Sequence, residues 1–171
     1  MDLYMIVLRI VHILAGVFWV GSVAMFFLYV QPTAKALGPA GGPFMTHLLQ
    51  QKRVPIVLLW CAATTITAGL LLYWRTSGGF DGDWITSATG LAFTIGGLAA
   101  IIAFLLGLTI AKPAADRMGA LAQAAAAAGG PPSQEQAAQI GALQAKLRAI
   151  GLTNLGLLTG AVVLMAIARY L

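Results

Sequence analysis

The chain has 171 residues, of which 60% are hydrophobic and only 9% are charged, and its formal net charge is +5. A soluble domain carries about a quarter charged residues, so this composition excludes an ordinary soluble protein and predicts an integral membrane protein in a lipid bilayer. The single cysteine excludes a disulfide framework within the chain, and the basic excess is typical of membrane-surface loops, not of nucleic-acid binding. The length fits one domain, residues 1–171.

Four apolar stretches are long enough to cross a bilayer as helices, because about 20 residues span the hydrocarbon core. They cover approximately residues 3–30, 54–74, 85–111 and 150–170. Lipid cannot satisfy exposed backbone groups, so spanning segments of this kind are expected to be helical. The predicted fold class is all-α, a polytopic membrane protein built as a four-transmembrane-helix bundle.

The first segment carries two ionisable residues, Arg9 and His12, at membrane depth. Such side chains are rare in hydrocarbon and usually belong to a functional site. One helix face collects the residues that follow one another at spacings of three and four, namely Arg9, His12, Gly16, Trp19 and Val23. We expect this face to look into the bundle, while the opposite apolar positions face lipid.

The chemistry of this face predicts a haem site. His12 lies near mid-membrane, where desolvation and a neighbouring cation both favour the neutral imidazole. Neutral imidazole is a metal ligand and a usual axial ligand of haem iron. We therefore predict haem b with His12 as the metal ligand, Arg9 beside a propionate, and room for the macrocycle at Gly16, with Trp19 on the same face.

The second axial ligand is left open by the sequence. Met165 in the fourth segment lies at comparable depth and is one candidate, while a water or a residue of another subunit is the alternative. His47, the only other histidine, falls in the first loop and is expected far from His12. A purely structural reading also stands, in which His12 bonds a neighbouring helix and Arg9 extends to the membrane surface.

The loops differ in charge, and this difference predicts the orientation of the chain. The first and third loops hold most of the basic residues, namely Lys35, Lys52, Arg53, Lys112, Arg117, Lys146 and Arg148. The positive-inside rule places these two loops in the cytoplasm, with both termini on the outer side. We predict a multi-pass protein of the bacterial inner membrane with periplasmic termini.

Residues 112–149 are too polar to span and predict a cytoplasmic helical extension between the third and fourth spans. Ala114–Ala128 is alanine-rich, as in a helix, and Gly129-Gly130-Pro131-Pro132 breaks it. Ser133 with Gln136 matches a capping box that opens a long fourth helix. The two helices are expected to form an antiparallel hairpin, with a solvated linker as the alternative.

Glycines mark candidate packing faces on the later segments. Gly156 and Gly160 stand at GxxxG spacing in the fourth segment, and the third segment holds Gly90, Gly96, Gly97 and Gly107. Such positions let helix backbones approach closely. They suit helix packing, and they also suit the admission of a flat cofactor.

Several short motifs resemble those of the HemJ-like protoporphyrinogen oxidases and the related CopD-type four-helix membrane proteins. They are Arg9, His12 and Trp19 in the first helix, then Arg53, Pro55, Gly69 and Leu70, then Arg148 and Asn154. The resemblance implies a four-helix bundle that binds haem b or a porphyrin through His12 for electron transfer or oxidoreductase chemistry. The oxidases carry a third-helix lysine after a tryptophan, whereas Trp84 is followed here by Ile-Thr-Ser-Ala-Thr. The oxidase reaction itself is therefore not implied.

Two other classes of function are compatible with the sequence. One is membrane transport of copper or a small substrate past His12, in line with the copper-resistance role of CopD-type proteins. The other is a structural subunit of a homo-oligomer or a larger membrane complex, docked through the glycine-rich faces. The transport hypothesis still relies on His12, whereas the structural one relies on helix packing.

Overall fold

The computed structural model describes residues 2–130 and 132–171, with the side chain of Pro39 left aside. Within these residues the regular structure is helical, as predicted, and four helices are long and apolar enough to cross a membrane. They are the first long helix Leu3–Ala36, the second Val54–Thr76, the third Ala88–Ala127 and the fourth Gln134–Tyr170. Such a set suggests a multi-pass membrane protein.

Short helical segments connect the first three long helices. Gly41–Thr46 and a wide turn at His47–Gln51 lead into the second helix, and Gly82–Thr86 leads into the third. The third helix begins at Ala88 and not near residue 85, because Ser87 is extended and its hydroxyl accepts the N–H of Gly90 at 3.1 Å. This serine cap ends one helical segment and starts the next.

The first and third helices run through prolines that would ordinarily stop a helix. Pro32 and Pro113 each follow a π-helical turn, Phe26–Val30 and Gly107–Ala111 respectively. In both turns the residue before the proline donates its N–H to the carbonyl five residues earlier. The wider turn leaves room for the proline ring, which has no N–H to lose. The third helix is therefore continuous to Ala127, beyond the predicted boundary near residue 111.

The segment after Pro113 forms the predicted helical hairpin. Lys112–Ala127 packs along the fourth helix, which runs unbroken from Gln134 to Ile167 before a final turn. Ser133 N–H donates to Gln136 Oε1 at 2.9 Å, and Gln136 N–H donates to Ser133 Oγ at 3.2 Å, which is the predicted capping box. The chain turns at Gly129, whereas Pro131 of the predicted break lies outside the described residues. We call this end of the bundle the extension end and the opposite end the terminal end.

The long helices associate in two close pairs, the first with the second and the third with the fourth. One shared cluster joins the pairs and takes a buried residue from every long helix: Trp19, Val23, Ala62, Ala103 and Leu158. Alanines in the second and third helices keep the backbones close, so a large side chain from each of the other two helices fills the centre. This core lies on the extension side of His12 and fixes the helix faces around it.

Candidate functional site

His12 makes one hydrogen bond across the first helix pair. Its Nδ1 lies 2.8 Å from the backbone oxygen of Thr65 in the second helix. A carbonyl oxygen only accepts, so Nδ1 carries the proton and donates it to Thr65. Nε2 is then the ring nitrogen with the free lone pair. Metal-ligating histidines commonly have this arrangement, in which a backbone carbonyl orients the ring.

Thr65 is buried and is well placed to act as this acceptor. Its hydroxyl donates to the carbonyl of Cys61 at 2.8 Å. Its own backbone carbonyl has two lone pairs, so it can accept from His12 in addition to its helical bond. Cys61 itself is half-buried. Sequence reasoning missed Thr65, because a backbone carbonyl leaves no mark in the sequence. The sequence did contain one indication of where His12 meets the second helix, namely the glycine one turn further along, Gly69.

Gly69 gives the imidazole its place against the second helix. A Cβ at this position would lie 2.9 Å from His12 Cε1 and 3.1 Å from Nδ1. Any larger residue would push the ring away from the carbonyl of Thr65. The contact explains in physical terms why a glycine stands here in an otherwise continuous helix, where it would be unfavourable relative to alanine.

The predicted stripe on the first helix points inward over most of its length. Trp19 is buried, with 6% of its surface exposed, and Val23 is buried beside it. Gly16 sits on the second helix, where an added Cβ would lie 3.4 Å from Thr65 Cγ2. Arg9 departs from the inward-facing expectation, because its side chain is exposed and not covered by the bundle. Its exposure and the bond from His12 to the second helix are both as the structural alternative describes them.

Arg9 also lacks an acidic partner. Among residues 2–130 and 132–171 the ion pairs are Arg75 with Asp2, at 3.6 Å, and Lys112 with Asp116, at 2.6 Å. Both involve residues at the ends of the bundle. The guanidinium one turn from His12 is therefore free to pair with an anion from outside the chain.

The two candidate second ligands have other neighbours. Met165 of the fourth helix packs against the third helix, where a Cβ at Gly96 would lie 3.3 Å from the Cγ of Met165. His47 is exposed in the turn that precedes the second helix. The structure thus gives Met165 and His12 different packing partners, and methionine ligation stays a prediction.

Among the described residues, neither a multi-residue metal cluster nor the apolar groove of the first helix pair lies at His12. The described part of the chain holds no group of three or more His, Cys, Asp or Glu side chains close enough to share a metal ion. A shallow apolar groove of about 320 Å³ runs along the side of the first helix pair. Its wall includes Leu8, Val11 and Trp60 but neither Arg9 nor His12, so it is separate from the candidate site.

One further polar atom stands out in the core. Asn154 Oδ1 on the fourth helix is buried and has no hydrogen-bond partner among the described residues. Its amide nitrogen lies beside Gly107, at the start of the π-helical turn in the third helix, 3.9 Å from where a Cβ would stand. Sequence reasoning had noted Asn154 only through the family resemblance.

No protein-family model, no curated protein and no solved structure matches this chain. The resemblance to HemJ-like and CopD-type proteins therefore stays a prediction. What the chain offers for a functional assignment is its own geometry: one oriented imidazole, one unpaired guanidinium, and a glycine that holds the ring in place.

Proposed function

We propose that the chain is an integral membrane protein that binds haem b, or handles a porphyrin, for electron transfer or other redox work. The observation that carries the proposal is the 2.8 Å bond from His12 Nδ1 to the carbonyl of Thr65. This bond fixes the tautomer in which Nε2 is the coordinating nitrogen. An imidazole that a backbone carbonyl orients within an apolar bundle is the kind of donor that haem iron takes from a protein.

The residues around His12 suit the rest of such a cofactor. Arg9, one turn toward the terminal end, offers a guanidinium that pairs with a carboxylate through two hydrogen bonds. Gly16, one turn toward the extension end, adds no side chain that would obstruct a flat ring, and Trp19 closes the core below it. A bound haem b supplies one-electron redox chemistry, while the chain supplies ligation, charge pairing and exclusion of water.

The decisive experiment is an absorption spectrum of detergent-purified protein supplied with haemin. We expect a Soret band of ligated haem in the unaltered protein, loss of that band in His12→Ala, and retention in His47→Ala. His47→Ala is the matched control, because it removes the other histidine from an exposed position outside the bundle core. No band in the unaltered protein, or the same band in His12→Ala, would reject the proposal.

The proposed location is a bacterial inner membrane, with the extension end in the cytoplasm and both termini outside. The basic loops at the extension end support this orientation through the positive-inside rule. Reporters fused after Leu171 test it. Alkaline phosphatase is expected to be active and green fluorescent protein dark, and the reverse pattern would invert the topology.

A structural role in a larger assembly is the second candidate, and one observation favours it. Gly156 and Gly160 are exposed on the fourth helix, and a Cβ at either would meet nothing within 4 Å. The fourth helix packs on the rest of the chain through other residues, among them Gly151 and Leu158. Co-purification of fixed companions with a blank absorption spectrum would support this role over haem binding. Transport of copper or a small substrate stays a prediction that metal analysis of the purified protein tests.

A further inference from the structure

The first and fourth helices touch closely near the extension end of the bundle. A Cβ at Gly151 would overlap the ring of Phe27, so the phenyl ring lies directly on the backbone of the fourth helix. Leu155 and Leu158 continue this contact surface by one and two turns toward the terminal end. In this half of the bundle, residues of both helices belong to one packed cluster.

The same two faces are uncovered in the terminal half. Arg9 lies eighteen residues before Phe27, which is five turns of 3.6 residues, so both project from one side of the first helix. Yet Arg9 is exposed where Phe27 is packed. Val162 follows Gly151 by about three turns on the same side of the fourth helix, and 51% of its surface is exposed. The faces that touch near Phe27 and Gly151 no longer cover each other at Arg9 and Val162, which indicates that the two helices separate toward the terminal end.

This separation forms a lateral crevice, which we define by Arg9 and Gly16 on the first helix and Val162 on the fourth. At about 1.5 Å per residue, Val162 stands at the level of Gly16, one turn from His12. An added Cβ at Gly16 would meet only Thr65 of the second helix, and nothing from the fourth. The crevice thus opens beside the candidate ligand and toward the acyl chains.

The charge and polarity of the crevice specify what it can admit. Its sides are apolar except for Arg9, which has no carboxylate partner among the described residues. A cation at membrane depth is costly unless it is paired. A flat apolar molecule that carries a carboxylate satisfies both features, whereas a hydrated anion could pair with Arg9 but would not suit the apolar sides.

We infer that haem or a porphyrin reaches His12 sideways from the membrane, through the crevice between the first and fourth helices. The inference rests on the proposed function. It adds that the ligand comes from the lipid bilayer, and it adds the route that the ligand takes. The carboxylate stays with Arg9 at the wider end, while the ring slides past Val162 toward the imidazole. No aqueous channel through the bundle is then required.

Blocking the crevice from the fourth helix tests this route. Val162→Trp fills the opening, and Val163→Trp is the matched control, because Val163 is equally exposed but projects about 100° further round the helix. The apoprotein variants are reconstituted in phosphatidylglycerol-containing vesicles, and haemin is presented in a second population of vesicles. The rate of growth of the Soret band is then followed by stopped-flow absorption.

We expect Val162→Trp to slow haem uptake at least tenfold and Val163→Trp to leave the rate within twofold. Equal rates in the two variants would overturn the route while leaving ligation by His12 intact. If Val162→Trp does not fold, judged by circular dichroism, Val162→Phe obstructs the crevice with a smaller ring and must slow uptake in the same way. Unaltered protein that takes up no haem would reject both the route and the proposed function, an outcome distinct from equal rates.

Discussion

Replacing Gly69 with alanine tests how the imidazole is held. The added Cβ would lie 2.9 Å from His12 Cε1, whereas ordinary contacts begin at 3.4 Å, so the ring must retreat by about 0.5 Å. A retreat of this size stretches the bond from His12 Nδ1 to Thr65 from 2.8 Å to about 3.3 Å, outside the usual range for N–H···O bonds. The ring then loses its orienting partner while the iron ligand itself remains.

The expected consequence is weaker haem binding with an intact fold. Loss of an orienting partner of a metal-ligating histidine reduces metal affinity by roughly 10–100-fold. Titration of detergent-solubilised Gly69→Ala apoprotein with haemin, followed at the Soret band, measures the dissociation constant directly. The substitution is not expected to weaken the helix itself, because alanine favours a helix over glycine by up to about 1 kcal/mol.

Gly97→Ala is the matched control for this substitution. Gly97 is also within a long helix, but a Cβ there would meet nothing within 4 Å, so haem affinity is expected to stay within twofold of the unaltered protein. If Gly69→Ala bound haem as tightly as Gly97→Ala, the bond to Thr65 would not position the ligand, and the reasoning from tautomer to function would fail.

Three further substitutions test other parts of the site and the core. Arg9→Gln is expected to weaken haem binding about tenfold without moving the Soret maximum, since a charged hydrogen bond contributes about 1.5–3 kcal/mol and His12 still binds the iron; an unchanged dissociation constant would remove Arg9 from the site. Asn154→Leu is expected to stabilise the protein by about 1–3 kcal/mol, because it removes a buried acceptor without a donor. A lower melting temperature, or loss of haem binding, would instead mean that Asn154 has a partner. Gly151→Ala is expected to destabilise by about 1–3 kcal/mol through overlap with Phe27, and an unchanged melting temperature in detergent would show that the ring moves aside freely.

Much of the fold was predictable because hydropathy and capping are local properties. The four long helices follow from apolar runs of sufficient length, and the capping box at Ser133 follows from residues three apart. Helix ends were less predictable. Pro32 and Pro113 ordinarily mark boundaries, but here a π-helical turn before each proline absorbs the ring and lets the helix continue.

Only the first-helix part of the candidate site was predictable from the sequence. Spacing in the first helix identified His12, Gly16 and Trp19 as one face, and the structure turns these three toward the second helix and the core. Thr65 could not be predicted, since it acts through its backbone and depends on how the two helices are aligned. The exposure of Arg9 agrees with the structural alternative, in which this side chain extends away from the bundle, and spacing within one helix could not decide between that alternative and the haem site.

The two prolines also have a consequence for how the molecule comes apart. Each removes an amide proton from its helix where that helix passes from the apolar span into the projecting segment. Fraying that starts in the alanine-rich hairpin meets an interrupted hydrogen-bond ladder at Pro113, so the hairpin can melt as its own cooperative unit. Amide exchange should accordingly be fast in Lys112–Ala127 and slow in the spans, with the change falling within one turn of the proline.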